Sequence, residues 1–339
     1  MTTDTRPVVL IVNHNRTDQC GVYQLGKRAH QILEGSKRYR FVHVRADSMH
    51  EFVLQAGPLS PVLCIFNYYP GTMDWAKVLG EVRLPCPVIG IAHEITHQDA
   101  HTPQPPFKVW IIFDPSFPDS AIYKRTLPPM PALYEGEARP PSDRLVVGSC
   151  GFALPGKGYE YILNAVAQEF GSGAFGVDAN LNPLVRLHIP PAHFAAGFPH
   201  EDYYALLKGH AATLGIALEI TSHFRPDDEL LEWLASNHLN CLFYGPNQGR
   251  GISSAADFCV ASGRPLAITR SEQFRHMLPV FGAYPQVSLR ETLVTAAKPD
   301  TVRPDKFLPP VQRLQKMWSH ERFIASYEGI VDSLLGGGE

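Results

Sequence analysis

The sequence predicts an α/β protein of two domains, in which each domain is a parallel sheet covered by helices on both faces. Short runs of β-branched and other apolar residues alternate with segments whose apolar residues recur every three or four positions, as buried strands and amphipathic helices do. This alternation occurs twice, and the proline-rich residues 126–142 separate the two series as a linker would. The 339 residues are enough for two hydrophobic cores. We therefore place the first domain in residues 1–142 and begin the second at residue 143.

The first series contains five predicted strands joined by helices. Residues 8–13 form the first strand, and a polar loop follows until Gly21 opens an amphipathic helix. Ser48 is placed to cap a second helix, and a third surrounds Trp75. The remaining strands of this series are predicted at residues 41–44, 61–66, 87–92 and 109–113.

The second series repeats the pattern and ends in a long helical segment. Its strands are predicted at residues 145–148, 184–189, 217–221, 240–244 and 266–269. Its helices are predicted at residues 158–170, 202–214 and 227–235, and a shorter one made of small residues starts near Ser254. After Pro309 one helical pattern continues to Leu335, so the second domain is predicted to span residues 143–310.

The composition is typical of a soluble globular protein, with 45% hydrophobic and 19% charged residues. The formal net charge of −3 argues against a nucleic-acid surface, which needs clustered basic residues. The six cysteines are scattered without a CxxC pair, so we expect reduced thiols in the cores. The polar N-terminus has no apolar signal segment, and no apolar run reaches the ~20 residues of a spanning helix. We expect a cytoplasmic protein, with peripheral contact at the inner membrane left open.

Ligands of open parallel sheets bind beyond the carboxyl ends of the strands, which directs attention to the loops that follow them. Two sheets that face each other would bring both sets of loops to one cleft. The loops expected there are residues 14–21, 68–71, 93–101, 148–158 and 245–254.

The loop of residues 148–158 combines four glycines with Lys157 just before a predicted helix. Glycines allow close backbone approach, and N–H groups together with one lysine suit a phosphate. The loop is not a Walker A motif, because Gly158 stands where that motif needs serine or threonine. The alternative is an ordinary glycine-rich turn with an exposed lysine.

The stretch of residues 249–269 passes from a glycine-bearing loop into a helix of small residues. The first turn of that helix, near Gly251, Ser253 and Ser254, is expected to present backbone N–H groups and a positive dipole end to an anion. Asp257 lies three residues after Ser254, so a capping box is the alternative to ligand binding. Gly263 is expected to end the helix.

Histidines follow two of the predicted strands of the first domain. His93, Glu94 and His97 match the HExxH signature of zinc proteases, which requires both histidines on one helical face. The segment leaves a strand and soon meets prolines, so we favour a chance match. His93 is still well placed to contact a ligand, although a histidine satisfied by backbone groups is the alternative. His14 and Asn15, after the first strand, fit either an acceptor site or a solvated turn.

Together these segments resemble the retaining, two-Rossmann-domain (GT-B) glycosyltransferases that use nucleotide sugars. In the second domain, residues 151–158 (GFALPGKG) resemble the family motif G-R-x-x-x-x-K-G, and residues 249–269 resemble its motif E-G-F-G…E-A-M-A-x-G-x-P-V. Residues 227–243 resemble the helix and strand that precede the family's donor site. Residues 92–94 resemble the histidine that ends a strand in its first domain, and residues 318–327 resemble its C-terminal helix. Phe152 stands where that family usually has an arginine, and Gln248 or Gly249 replaces its first glutamate.

The resemblance implies two Rossmann-like domains facing across a cleft, with residues 311–339 as a helix that crosses back to the first domain. It implies sugar transfer from a nucleotide diphosphate to a hydroxyl acceptor in polysaccharide or glycoconjugate synthesis, without a metal or other cofactor. The site residues that it implies are His93, Lys157 and Arg250 for catalysis, Gly151, Lys157, Gly251, Ser253, Ser254 and Asp257 for the donor, and His14, Asn15 and Glu94 for the acceptor. An inverting course would need a base, with His14, His93 or Glu94 as the candidates.

Two alternatives to a transferase share the same architecture. One is a nucleotide-sugar epimerase, and the other is a non-catalytic protein that binds a nucleotide or sugar. The missing family glutamate favours the second of these.

Overall fold

The strands of the computed structural model form two parallel sheets, and the predicted α/β class is confirmed. The structure describes residues 4–16, 20–140, 143–173, 181–195, 197–246, 251–297 and 309–336. The strands are β1 (Val8–Asn13), β2 (Arg40–Arg45), β3 (Leu63–Phe66), β4 (Val88–Ala92), β5 (Trp110–Ile112), β6 (Tyr123–Arg125), β7 (Val146–Cys150), β8 (Leu184–His188), β9 (Ala217–Thr221), β10 (Leu239–Leu242) and β11 (Leu266–Ile268). The α-helices are α1 (Gly21–Leu33), α2 (Met49–Ala56), α3 (Tyr159–Phe170), α4 (His200–Thr213), α5 (Asp227–Ala235), α6 (Ser254–Ala261), α7 (Leu278–Phe281), α8 (Leu289–Ala297), α9 (Pro310–Met317) and α10 (His320–Leu335).

The chain divides into two compact units. The first unit comprises Met1–Met130, Gly249–Ser254 and Trp318–Glu339, and the second comprises Pro131–Gln248 and Ala255–Met317. Among the described residues, the first sheet has the strand order β2-β1-β3-β4-β5-β6 and the second the order β11-β10-β7-β8-β9. In each unit the chain adds strands on one side of its first strand and then on the other, which creates a topological switch point.

The first sheet is buried on both faces, as parallel sheets are. Alternate residues of β1 belong to two different cores, with Val9 and Ile11 in one and Leu10 and Val12 in the other. Burying such a side chain stabilises the fold by roughly 1.5–3 kcal/mol. This is why the strand reads as an unbroken apolar run. The strand β6 was not predicted, because its three residues carry no apolar run.

The single long helix predicted after Pro309 is wrong in detail, since the structure has two helices, α9 and α10. Ser319 interrupts the pattern because its hydroxyl accepts a hydrogen bond from the Arg322 N–H at 3.5 Å and so caps a new helix. The helix α10 packs on the first sheet through buried side chains that include Phe323 and Tyr327. Its polar face is fixed by Asp332, which pairs with Arg38 at 2.6 Å. None of the helices that the structure describes is both long and apolar enough to cross a membrane.

Candidate functional site

The switch point of the second sheet lies between β7 and β10, which pair directly. The connections that leave these two strands depart to opposite sides, and ligands of such sheets bind in the crevice at that place. The loop after β7 carries Gly151 and Lys157, and the segment after β10 leads to α6. The strand order therefore brings the predicted phosphate loop to the position where an open parallel sheet binds its ligand.

The Lys157 loop is fixed against the end of β10 by its backbone. The Gly245 N–H donates to the Gly156 carbonyl at 2.9 Å. Gly158 has a φ of 71°, and a β-carbon there would collide with the Phe243 carbonyl. Only glycine therefore allows α3 to begin this close to β10. At the start of the loop the Gly151 N–H donates to the His188 carbonyl at 3.1 Å.

The side chain of Lys157 lies over the ring of Tyr244, with its Nζ atom 3.8 Å from the ring centroid. Tyr244 follows β10 and is only 2% exposed, and its carbonyl accepts a hydrogen bond from Thr269 Oγ1 at 2.7 Å. An ammonium group over an aromatic face is stabilised by about 0.5–2 kcal/mol. An aromatic ring thus holds one positive charge at the carboxyl edge of the second sheet, and phosphate binding there stays a prediction.

The ring of Tyr244 can be tested separately from its hydroxyl. For the nucleotide-sugar turnover that the sequence resemblance implies, replacing Tyr244 by leucine is expected to lower kcat/KM by about 2- to 30-fold, because Lys157 loses the ring that orients it. The variant Tyr244→Phe keeps the ring and should stay within about twofold of wild type by the same reasoning. Steady-state kinetics on variants with unchanged circular dichroism measures both. An equal loss in the two variants would contradict a role for the ring.

The position of the family arginine is occupied by an apolar pair in this protein. The ring of Phe152 packs edge-on against Phe194, with 5.4 Å between the centroids, and Phe194 is 64% exposed. The Phe152 carbonyl accepts a hydrogen bond from the Tyr159 hydroxyl at 3.0 Å. The loop therefore has an aromatic edge at the position where the motif that it resembles has an arginine.

The helix α6 ends as predicted, because Gly263 adopts a left-handed φ of 74° and its N–H donates to the Val260 carbonyl at 3.2 Å. Asp257 lies in the first turn of α6 and is only 1% exposed. A hydrogen bond with Cys150, burial and the nearby Asp257 carboxylate all raise the pKa of the Cys259 thiol. Asp257 is thus a buried carboxylate, and its binding to a ribose stays a prediction.

The segment before α6 belongs to the first unit. Ser253 is buried and Ser254 partly exposed, whereas Arg250 lies outside the residues that the structure describes. The α-carbon of Gly251 packs so closely on the His93 carbonyl that a β-carbon there would collide with it. Gly251 and His93, two residues selected separately in the sequence, are therefore neighbours in the first unit.

The switch point of the first sheet lies between β1 and β3, and polar side chains follow these strands and β4. Asn13 ends β1, Asn67 follows β3 and His93 follows β4. The Asn67 Nδ2 atom donates to Asn13 Oδ1 at 2.6 Å, and Asn67 Oδ1 lies 2.8 Å from His93 Nε2. Burial lowers the pKa of His93 to about 4, so the ring is neutral at pH 7. The hydrogen-bond partner of the His93 ring is the side-chain amide of Asn67 and not a backbone group.

The other residues predicted at this edge differ in exposure. His14 is fully buried, with its ring centroid 5.6 Å from that of Tyr23 and its Nδ1 atom accepting from the Arg16 N–H at 3.2 Å. Asn15 and Glu94 are exposed, and the Asn15 N–H donates to Asp47 Oδ1 at 2.9 Å. The structure thus places His14 in the core of the first unit, below two residues that face solvent.

The HExxH match does not form the helix that a zinc protease needs. The chain bends after β4, and Thr96 and Asp99 form a capping box around the short 3-10 helix His97–Asp99. His93 is bonded to Asn67, whereas His97 lies 3.3 Å from Ser116 Oγ. In the part of the chain that the structure describes, no group of three or more histidine, cysteine or acidic residues could hold a metal ion. The two histidines therefore lack the shared helical face that the zinc-protease signature requires.

Asn67 is the main residue of this edge that sequence reasoning missed. It directly follows a buried strand, and this position at the carboxyl end of a parallel strand could have identified it as a candidate site residue. Tyr244 was missed for a different reason, since nothing in the sequence links it to Lys157.

No protein-family model matches the sequence, and no curated protein sequence matches it. Solved structures do match. An alpha,alpha-trehalose-phosphate synthase (UDP-forming) from Burkholderia xenovorans aligns with a TM-score of 0.59 and 10% identity, covering 97% of this chain and 100% of that chain. The corresponding synthase from Burkholderia vietnamiensis aligns with a TM-score of 0.59 and 9% identity, covering 96% and 100%. An alpha-glucosyltransferase in complex with UDP-glucose and DNA aligns with a TM-score of 0.60 and 9% identity, covering 96% and 99%.

At these identities the likeness is one of fold, and it extends over almost the whole of each chain. The sequence predicted two Rossmann-like sheets, and the structure adds the strand order that gives each sheet its switch point. The protein therefore has a GT-B-type fold of two Rossmann-like sheets, the fold of these solved structures.

Proposed function

We propose that this protein is a glycosyltransferase that moves a sugar from a nucleotide diphosphate to a hydroxyl group of a glycan or glycoconjugate. The observation that carries the proposal is the Lys157 ammonium, held 3.8 Å from the Tyr244 ring centroid at the switch point of the second sheet. A fixed cation at that place suits the diphosphate of a donor. The solved structures of similar fold include a UDP-forming synthase and a glucosyltransferase bound to UDP-glucose, which supports the same reaction class.

The chemistry needs stabilisation of the leaving group more than it needs a strong base. The diphosphate gains negative charge as its bond to the sugar breaks, and Lys157 would stabilise that charge together with the amides at the start of α6. Arg250 is a further candidate cation for this role. The proposal requires no metal, because a lysine and a helix N-terminus can supply the positive potential.

The state of His93 argues against an inverting course in which His93 is the base. A base whose pKa is about 4 is a weak proton acceptor at neutral pH, so His93 is poorly suited to activate an acceptor hydroxyl. In a retaining reaction the departing diphosphate oxygen takes that proton, and His93 is free to contact the transferred sugar. Asn15 and Glu94, which are exposed, would then contribute to the acceptor side, whereas His14 is buried beneath the surface.

A panel of nucleotide sugars, beginning with uridine diphosphate sugars, tests the proposal. We expect release of the nucleoside diphosphate that increases when acceptor sugars or glycolipids are added. Product analysis without acceptor separates a transferase from an epimerase. An epimerase would convert the donor sugar into its epimer, and the product would still be a sugar joined to the nucleoside diphosphate. Saturable binding of a nucleotide sugar without any turnover across the acceptor panel would instead identify a non-catalytic binding protein. Lipid vesicles that contain the glycolipid acceptor can be added to the same assay, and sedimentation of the protein with these vesicles shows whether it associates with membranes.

A further inference from the structure

A chain of four hydrogen-bonded side chains crosses the switch point of the first sheet. It runs from His43 through Asn13 and Asn67 to His93, and we call it the amide chain. The distances are 3.0 Å from His43 Nε2 to Asn13 Nδ2, 2.6 Å from Asn67 Nδ2 to Asn13 Oδ1, and 2.8 Å from His93 Nε2 to Asn67 Oδ1. Both asparagines are completely buried. Such a network is stable only when each donor meets an acceptor.

The direction of the amide chain is set by the backbone of α1. The second hydrogen of Asn67 Nδ2 goes to the Val22 carbonyl at 2.6 Å, and that of Asn13 Nδ2 goes to the Tyr23 carbonyl at 3.2 Å. Carbonyl oxygens only accept, so flipping either amide would place two oxygens against each other. The orientation of both amides is therefore determined without reference to either histidine.

Helix α1 also leaves these amides no room to rotate. Gly26 packs directly on them, and a β-carbon at this position would collide with the side chain of Asn67 and come within 2.9 Å of Asn13 Nδ2. A contact below 3.0 Å is closer than real β-carbons tolerate. The absence of a side chain at Gly26 is thus what allows the helix to sit on the amide chain and lock it.

The fixed amides decide which ring nitrogen of each histidine carries hydrogen. Asn67 Oδ1 can only accept, so His93 Nε2 must donate. Asn13 Nδ2 donates, so His43 Nε2 must accept. Burial lowers the pKa of both rings to about 4, which is consistent with two neutral histidines. Among the described residues, Asn67 is the only one that makes a hydrogen bond to the His93 ring. The Nδ1 atom of His93 therefore accepts no hydrogen bond from a described residue.

We propose that Asn67 is a positioning residue that holds His93 in the Nε2–H form and leaves the Nδ1 lone pair to accept a hydrogen bond from a sugar hydroxyl. The assignment of the hydroxyl rests on the proposed function, whereas the hydrogen position does not. A lone pair attracts an O–H donor and repels an anionic oxygen. His93 therefore selects for a hydroxyl group of the substrate and against a phosphate at the same place.

Nitrogen-15 NMR of the full-length protein labelled at histidine tests the inference. The two neutral forms of the ring and the imidazolium give distinct nitrogen shifts, and the spectrum of His93→Gln identifies the resonances of His93. In the wild-type protein at neutral pH we expect His93 to carry its hydrogen on Nε2. Hydrogen on Nδ1, or a charged ring, would overturn the inference. This NMR measurement can be made on the wild-type protein without a substrate, and it does not depend on whether a variant of Asn67 folds.

The variant Asn67→Ala tests the positioning role. We expect the Nε2–H form of His93 to lose its dominance and, in an active enzyme, kcat/KM to fall by about tenfold to a hundredfold through misplacement of the ring. The matched control is Asn240→Ala, which removes another fully buried amide at the amino end of β10 in the second unit. The control should leave the His93 spectrum unchanged. An unchanged His93 spectrum in a folded Asn67→Ala protein would refute the positioning role, whereas absence of turnover alone would refute only the proposed function.

Discussion

Replacing Lys157 by alanine is expected to lower kcat/KM for the nucleotide-sugar donor by about 100- to 1,000-fold, the usual effect of removing one group that stabilises a developing oxyanion. The reason is the proposed position of the Nζ atom, 3.8 Å from the Tyr244 ring centroid, beside the diphosphate that gains charge as it leaves. Most of the loss should appear in kcat, because the charge to be stabilised is greatest in the transition state.

The control for this variant is Lys208→Ala. Lys208 is exposed on α4 in the same unit, so its replacement removes the same charge from the protein without touching the loop. It should retain wild-type kinetics. Nucleoside diphosphate release in a coupled assay measures both variants, and equal rates for Lys157→Ala and wild type would reject the assignment of this loop to the donor.

Replacing Gly158 by alanine is expected to lower the free energy of unfolding of the second unit by about 3 kcal/mol or more. A left-handed backbone costs a residue with a β-carbon about 1–2 kcal/mol. The collision of that β-carbon with the Phe243 carbonyl adds to this, because both partners are backbone and one of them must move. Urea unfolding followed by tyrosine and tryptophan fluorescence gives the free energy, and donor turnover should fall with it.

Two further glycines separate the causes of this effect. Gly156 has a φ of 83° with nothing within 4 Å, so Gly156→Ala should cost only the conformational strain of about 1–2 kcal/mol. Gly209 lies in α4 with nothing within 4 Å, so Gly209→Ala should stabilise the helix by roughly 0.5–1 kcal/mol. A Gly158→Ala protein as stable as Gly156→Ala would show that the close approach to β10 has no energetic importance.

The strands were the most predictable part of this fold. Val8–Asn13 has the predicted bounds because a run buried on both faces is visible as continuous apolar sequence. Ala217–Thr221 also has the predicted bounds, although it is an edge strand whose residues are only partly buried. The spacing of apolar residues did not predict the break between α9 and α10, because that spacing continues across the break. The pattern continues through Trp318, which is itself buried, and only the cap at Ser319 divides α9 from α10.

The candidate site was predictable only where its residues lie close together in the sequence. The spacing of the glycines around Lys157 predicts a phosphate loop, and phosphate binding there stays a prediction. In contrast, the contact of Lys157 with Tyr244 depends on β10 pairing with β7, and the contact of His93 with Asn67 depends on β4 lying next to β3. Strand order is decided by the packing of whole elements, and a single sequence does not specify it.

Calorimetric titration of nucleoside diphosphates into the full-length protein is the most direct test of the central claim, which is that Lys157 holds a diphosphate at the switch point of the second sheet. We predict saturable binding of at least one nucleoside diphosphate to wild type and to Lys208→Ala, and binding at least tenfold weaker to Lys157→Ala, equivalent to about 1.4 kcal/mol or more. Equal dissociation constants for wild type and Lys157→Ala, or no saturable binding of any nucleoside diphosphate to the folded protein, would contradict it.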